Sequence, residues 1–283
     1  MTNKYKPLRE IVKELPVVKG EILWVTADLT RLAIAVKRKE KNFSADMLID
    51  LLQEKVGMEG TLVIPSFNYN LKNNSSFDIS KTRPVTGALA LVAFGRKDFI
   101  RTRHPLHSFM VWGKHSHQLA GLTNTGSFDP DSPFNYLYKN NASALLIGTS
   151  VKEAFTFAHF VEAGEKVRYR KDKKYRIRYT DREGNTSGLS FKLFAKKPGW
   201  NMCLWKLQEL MEQHGMIWTQ THNGVSFSKI GLVEAYDLIR EDVRENKARN
   251  IACFNLEIWL KGIVKSVLRK VFGYQTVSER IWQ

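Results

Sequence analysis

Glu21-Ile-Leu-Trp-Val-Thr26, Ser44-Ala-Asp-Met-Leu-Ile-Asp-Leu-Leu-Gln-Glu-Lys-Val-Gly57 and Thr61-Leu-Val-Ile-Pro65 follow one another near the start of the chain. The outer two are short apolar runs rich in β-branched residues, the pattern of buried strands. The middle one opens on a capping serine, repeats apolar residues at helical spacing and stops at a glycine, which predicts a helix. Strand, helix, strand in that order builds a layered α/β sheet with helices packed on it.

Working outward, the patterning predicts a helix over about 84–94, a buried strand at Ala144-Leu-Leu-Ile-Gly148 and a helix over about 151–164. Tyr175-Arg-Ile-Arg-Tyr179 and Leu189-Ser-Phe-Lys-Leu193 alternate in character around Asp181-Arg-Glu-Gly-Asn185, the signature of a hairpin. Further helices are expected over 201–215 and 231–246. An amphipathic helix is expected over 251–272, where Phe254, Ile258, Leu260, Ile263, Val264, Val267, Leu268 and Val271 share a stripe with a basic back. The patterning predicts a single layered α/β domain over 1–283. It carries a basic β-hairpin excursion at about 166–200 and a C-terminal helical segment at about 247–283.

The 283 residues hold 44 Lys and Arg against 28 Asp and Glu, a net charge of +16, with a core-forming 43% of hydrophobic residues. That composition excludes a disordered basic tail. The charge concentrates anionic partners, whether nucleic acid, phospholipid or a phosphorylated metabolite. It is clustered at Lys37, Arg38, Lys39 and Lys41, between Lys166 and Arg182, and at Lys261, Lys265, Arg269 and Lys270. Each cluster also reads as a solvated face. No nucleic-acid-binding signature accompanies them. Cys203 and Cys253 are too few for a disulfide scaffold or a zinc site and suit a reducing compartment. The first fifteen residues lack the apolar run of a signal peptide, and nothing approaches the roughly 18 apolar residues of a membrane span. A cytoplasmic monomer or homodimer is expected.

Histidine is scarce and its placement informative. His159 and Glu162, in Thr156-Phe-Ala-His-Phe-Val-Glu162, are three apart on one helical face. The carboxylate can hold one imidazole nitrogen and leave the other free as a base, although a histidine on an apolar helix is also commonly structural. His104 and His107 sit in the turn-prone Arg103-His-Pro-Leu-His-Ser108. Gly126-Ser-Phe-Asp-Pro-Asp-Ser-Pro133 is a polar turn that opens a helix, with capping as its bland role. His115 and His117 alternate as metal ligands can, but no third ligand follows, so no metal is expected.

In order and spacing, Gly60-Thr-Leu-Val-Ile-Pro-Ser66, Phe77-Asp78, Pro84-Val-Thr-Gly-Ala-Leu89, the His-Pro-Leu-His-Ser segment, Trp112-Gly-Lys114, Phe128-Asp-Pro-Asp-Ser-Pro133 and the His159 segment resemble the aminoglycoside 3-N-acetyltransferase family over roughly residues 10–200. The resemblance implies a single acyltransferase domain, 1–283, of three-layer α/β/α architecture around a mixed sheet, which moves an acyl group from coenzyme A to an amine. It makes His159 the base, Glu162 the acid that orients it, and His104 and Ser108 neighbours of the thioester. Attack by an amine protonated at neutral pH needs such a base, and the oxyanion needs donors. Neither cysteine lies in a matched motif, so direct transfer is expected rather than an acyl-cysteine. Asp129, Ser132 and Thr156 fall in motifs that would face the acceptor.

The chain departs from the family where a serine-rich turn and a glycine loop usually meet the coenzyme. Thr26-Ala-Asp-Leu-Thr-Arg31 and Val36-Lys-Arg-Lys-Glu-Lys41 stand there instead. Thr30, Arg31, Lys37 and Arg38 are therefore expected to hold pyrophosphate with side chains, with Ser108 beside the thioester. Aminoglycosides are polycations, and a +16 surface opposes their approach. The charge favours a dTDP-linked amino sugar, as in surface polysaccharide synthesis, with Tyr169, Arg170 and Tyr175 contacting the nucleotide. An antibiotic-modifying enzyme is the alternative. A non-catalytic relative that binds nucleic acid or an anionic membrane is a further one.

Overall fold

The computed structural model describes residues 5–37, 39–40, 43–262 and 264. The chain begins with helix α1 (Leu8–Glu14), strand β1 (Ile22–Ala27), helices α2 (Leu29–Lys37) and α3 (Ala45–Val56), strands β2 (Thr61–Pro65) and β3 (Ser76–Asp78) and helix α4 (Ala88–Gly95). Strands β4 (Ile100–Arg101) and β5 (Phe109–Gly113), helices α5 (Ser116–Ala120) and α6 (Pro133–Lys139), strand β6 (Ser143–Ile147) and helices α7 (Val151–Ala154) and α8 (Phe157–Gly164) follow. The rest comprises β7 (Arg170–Thr180), β8 (Thr186–Lys196), β9 (Trp200–Met202), α9 (Leu204–Gln213), β10 (Ile217–His222), β11 (Val225–Gly231), α10 (Leu232–Glu245) and β12 (Ala252–Phe254).

Seven strands form one mixed sheet in the order β10-β11-β6-β1-β2-β5-β4. β6, β1 and β2 run parallel, and β11, β5, β10 and β4 pair antiparallel at the flanks. The three parallel strands are hydrophobic on both sides because both sides are covered. Ile22, Trp24, Val63, Ala144 and Leu146 face a core shared with α6, α8, α9 and α10. Leu23, Val25, Leu62, Leu145 and Ile147 face the opposite core under α1, α2, α3 and α4. This is the expected three-layer α/β/α arrangement. The helix that anchors it behaves as its sequence requires: Ser44 Oγ accepts from the Met47 amide at 3.1 Å, and Gly57 ends it at a positive φ of 71°.

Four expectations change. The helix over 84–94 starts only at Ala88, because the Val85 amide is donated to the Phe67 carbonyl and Gly87 turns the chain at φ 99°. The single helix over 151–164 is two, α7 and α8. Phe155 and Phe157 are both buried in one core, and residues two apart cannot share a helical face, so the chain breaks between them. The helix over 251–272 begins later, since Ala252–Phe254 pair with β9 and helical turns start at 256; most of the expected stripe lies outside the described residues. Lastly, Cys203 and Cys253 are joined in a disulfide with Cα atoms 6.2 Å apart. The β9–β12 pairing brings the two sulfurs together, against their reading as thiols of a reducing compartment, and leaves no free cysteine to act as an acyl carrier.

The hairpin is longer than its alternating centre suggested. β7 pairs with β8 along eleven residues, and β3 adds a parallel third strand. On β7, Lys171, Lys173, Lys174, Arg176 and Arg178 are exposed, while Tyr175, Ile177 and Tyr179 turn inward against Phe77, Phe191 and Leu193. The densest basic cluster of the chain is thus the solvated side of a two-sided strand. No helix among the described residues is long and apolar enough to cross a membrane.

Candidate active site

Helix α8 follows the C-terminal end of β6 through Gly148 and α7, so it stands at the edge of the sheet where parallel strands end. It carries His159 and Glu162 on its inner face. His159 Nδ1 lies 2.8 Å from Glu162 Oε2, as the three-residue spacing predicts. Two partners outside the helix complete the cluster. The Tyr169 hydroxyl donates to Glu162 Oε1 at 2.7 Å, and Arg170 Nε lies 2.7 Å from Oε2, an ion contact in which the N–H is not aimed at the oxygen. Arg170 Nη1 donates to the Phe194 carbonyl at 2.9 Å and Nη2 to Met202 Sδ at 3.1 Å. The guanidinium is therefore fixed by both strands of the hairpin root and by β9.

Glu162 is fully buried, Arg170 is 3% exposed and His159 is 9% exposed. Burial pushes the Glu162 carboxyl up, but His159, Arg170 and Tyr169 outweigh it and hold the group below its ordinary range, so it is ionised. Burial pushes His159 down, Arg170 adds to the effect and Glu162 opposes it, and the net is a histidine neutral at pH 7. Lys196, from β8, is held below its ordinary value by burial and by Arg170. An ionised carboxylate holding a neutral imidazole is the resting state that a general base requires.

Beside α8 a cleft of about 210 Å³ opens at the carboxyl ends of β1 and β2, walled by Thr26, Ala27, Pro65, Tyr69, Thr86, Glu153 and Thr156. Thr156 heads α8 one turn before His159 and bonds the Tyr69 hydroxyl. Thr30 and Arg31 lie in the first turn of α2, just beyond β1, and both are exposed, although neither is among the residues walling the cleft. Lys37 ends the same helix six residues after Arg31, about 9 Å along its axis, and is exposed as well. Arg38 lies outside the described residues.

Other candidates are held within the fold. His104 is completely buried: its Nδ1 accepts from the His107 amide at 3.2 Å, and burial brings its pKa down to about 4. Ser108 is buried too, accepting from Arg101 Nε at 2.9 Å and donating to the Ser66 carbonyl at 2.8 Å. Both stitch the His-Pro turn to neighbouring loops; like His159, which stands one turn inside Thr156, they are not among the residues walling the cleft. Ser132 caps α6 through the Asn135 amide, and Asp129 accepts from the Gly126 amide and pairs with Lys192 at 3.3 Å. His115 Nδ1 lies 2.7 Å from the Tyr136 hydroxyl, and no group of metal-ligating side chains occurs among the described residues.

Tyr169, Arg170 and Tyr175 were expected to contact a nucleotide. All three point inward: Tyr169 and Arg170 into the His159 cluster, and Tyr175 into the hairpin core. The exposed aromatic ladder that a base would stack on is absent from this face of the hairpin. Sequence reasoning thus missed the role of Arg170 beside Glu162, because a buried cation inside a run of exposed lysines carries no local signal.

The comparisons agree with this geometry. Among solved structures, sisomicin-bound AAC-VIa matches with a TM-score of 0.72 and 17% identity, covering 86% of this chain and 99% of that one. The AAC-IIIb binary complex with CoASH matches at 0.71 and 14%, covering 86% and 98%. The YokD protein from Bacillus subtilis matches at 0.65 and 21%, covering 83% and 96%. These likenesses establish the fold. The family model of the aminoglycoside 3-N-acetyltransferases matches residues 31–243, a span that holds the His159 cluster and the cleft walls from Pro65 to Thr156, while Thr26 and Ala27 precede it. That match overturns the expectation of a dTDP-linked amino sugar as acceptor, which rested on net charge; the charge resides largely on outward faces such as that of β7 and does not describe the site. A mixed α/β sheet with the site at its carboxyl edge, a buried histidine and glutamate pair, and the family model over that span together make this chain a member of the aminoglycoside 3-N-acetyltransferase family.

Proposed function

We propose that the protein transfers an acetyl group from acetyl-coenzyme A to an amino group of an aminoglycoside, with His159 as general base. The observation that carries this reading is the 2.8 Å contact of His159 Nδ1 with the buried carboxylate of Glu162 in a member of this family. The carboxylate keeps the proton on Nδ1, so the Nε2 lone pair is the basic site. The co-substrate supplies an acyl group activated as a thioester. His159 Nε2 takes the proton of the amine as its nitrogen bonds to the acyl carbon. Glu162 balances the imidazolium while it exists, and His159 then passes the proton to the departing sulfur, leaving amide and free thiol. With both cysteines in a disulfide, direct transfer is the route the side chains support.

The cleft at the ends of β1 and β2 fits a narrow, mostly uncharged arm with hydroxyl partners at Thr26, Thr86 and Thr156, which suits the pantetheine part of the coenzyme. Thr30 and Arg31, exposed at the start of α2 just beyond β1, would meet the phosphates. A polycationic acceptor gains from carboxylates, and Glu153 borders the same cleft. The relative solved with sisomicin supports this acceptor class. The test is release of free thiol from acetyl-coenzyme A in the presence of sisomicin, gentamicin or kanamycin. Turnover is expected, and His159→Ala should lower it by about 10²-fold or more. Absence of turnover with every aminoglycoside would refute the acceptor, and near-normal turnover by His159→Ala would refute the base.

A further inference from the structure

His159 Nδ1 has two neighbours at the same distance, Glu162 Oε2 and Arg170 Nη2, both at 2.8 Å. A guanidinium only donates and a carboxylate only accepts, so the two cannot be satisfied by one tautomer. With the proton on Nδ1 the glutamate is bonded and the guanidinium lies against the ring as an unbonded positive charge. With the proton on Nε2 the Nδ1 lone pair would accept from Arg170 Nη2 while facing the carboxylate oxygen, and neither ring nitrogen would be free to take a proton from an amine. Arg170 Nη2 also stands 3.5 Å from Nε2, so its charge borders both ring nitrogens.

We propose that Arg170 is a positioning residue for the acyl transfer: fixed at the hairpin root, it holds Glu162 ionised for the productive tautomer of His159 and opposes charging of the ring before an amine arrives. The proposal rests on His159 acting as base. The charged and titratable groups around the ring are few. Glu162 comes from its own helix, Tyr169 and Arg170 from the start of β7, Lys196 from β8 and His107 from the turn before β5. Glu162 alone favours the imidazolium. Arg170 and Lys196 oppose it, and only Arg170 touches the ring. The balance lets Glu162 orient the base strongly without trapping the proton on it. Because Arg170 belongs to the hairpin, the dyad is set only when the hairpin is docked on α8.

The test compares Arg170→Met and Arg170→Lys across pH. Loss of the charge should move the acid limb of kcat/KM upward by about one pH unit, while the lysine variant should keep the limb in place and lose about tenfold in kcat through its missing fork. A rate loss in Arg170→Met with the limb unmoved would mean packing alone and would overturn the proposal, as would a shifted limb in Arg170→Lys. Should Arg170→Met fail to fold, Arg170→Gln, which retains a donor for the Phe194 carbonyl, must show the same upward move. The ring titration of His159, followed by NMR and identified by its loss in His159→Ala, gives the same comparison without substrate, so failure of the acceptor assignment leaves this test intact.

Discussion

Replacing Glu162 with Gln keeps the shape of the side chain and removes its charge, which makes it the most searching perturbation of this site. Glu162 is fully buried and serves three partners: His159 at 2.8 Å, Tyr169 at 2.7 Å and Arg170 at 2.7 Å. The other bonds of Arg170 go to a carbonyl and a thioether, so the substitution leaves a buried guanidinium with no anion. Losing one partner of such a pair costs about 3–5 kcal/mol. Against a typical stability of about 5–15 kcal/mol the variant should still fold when cool, with a melting temperature lower by about 10 °C. Activity should fall further than stability. The amide can offer an N–H to Nδ1, which would place the ring proton on Nε2 and remove the base, a loss of about 10³–10⁴ in kcat. Thermal denaturation and the thiol-release assay read the two effects separately. Combining Glu162→Gln with Arg170→Met should recover much of the stability and none of the activity. A melting temperature within about 2 °C of the parent in Glu162→Gln, with turnover within tenfold, would refute both the ion pair and the tautomer argument.

Two further outcomes follow from groups outside the dyad. His104, His107 and His159 are all held below the ordinary histidine pKa by burial, so the unfolded chain takes up protons first as pH falls below about 6.5. Their contribution is complete above that pH and lost as pH drops. His104, at about 4, alone accounts for about 3 kcal/mol by pH 4, so the melting temperature should fall steeply between pH 6.5 and 4, and a flat profile would contradict the burial of these rings. Reducing the Cys203–Cys253 bond, which closes a separation of 50 residues, should cost up to about 4 kcal/mol. Melting scans with and without reductant measure it, and equal curves would show that the bond does not restrain the unfolded chain.

Much of the layered fold was legible because its signals are local. The Ser44 cap, the Gly57 stop and the two β-branched runs report their own backbone, and the structure places β1, α3 and β2 within a residue or two of the expected ends. The His159–Glu162 pair was legible for the same reason, since helical spacing alone sets the contact. What failed depended on distant partners. The break between α7 and α8 comes from two phenylalanines seeking one core, and β12 replaces the start of a helix because β9 offers it an edge. The hairpin misled most. Its lysines and arginines read as one basic surface, yet Arg170 differs from Lys171 by the side of the strand it occupies at the point where α8 comes near. Likewise net charge, a sum over the chain, could not report the potential at a cleft.

The aromatic contacts behind Glu162 bear on where the working enzyme ends. Tyr169 stacks on Trp200 with ring centres 4.9 Å apart, Trp200 meets Phe254 at 5.6 Å, and Phe254 meets Trp259 at 6.5 Å. Tyr169 is also the residue whose hydroxyl holds Glu162. The family model matches no further than residue 243, so Phe254 and Trp259 lie beyond the matched span. A chain trimmed to the family boundary would keep every motif of the transfer reaction and lose the outer end of this stack, together with the cysteine that tethers it. Boundaries for expression, fusion partners or domain grafts are therefore better drawn beyond Trp259 than at the edge of sequence similarity.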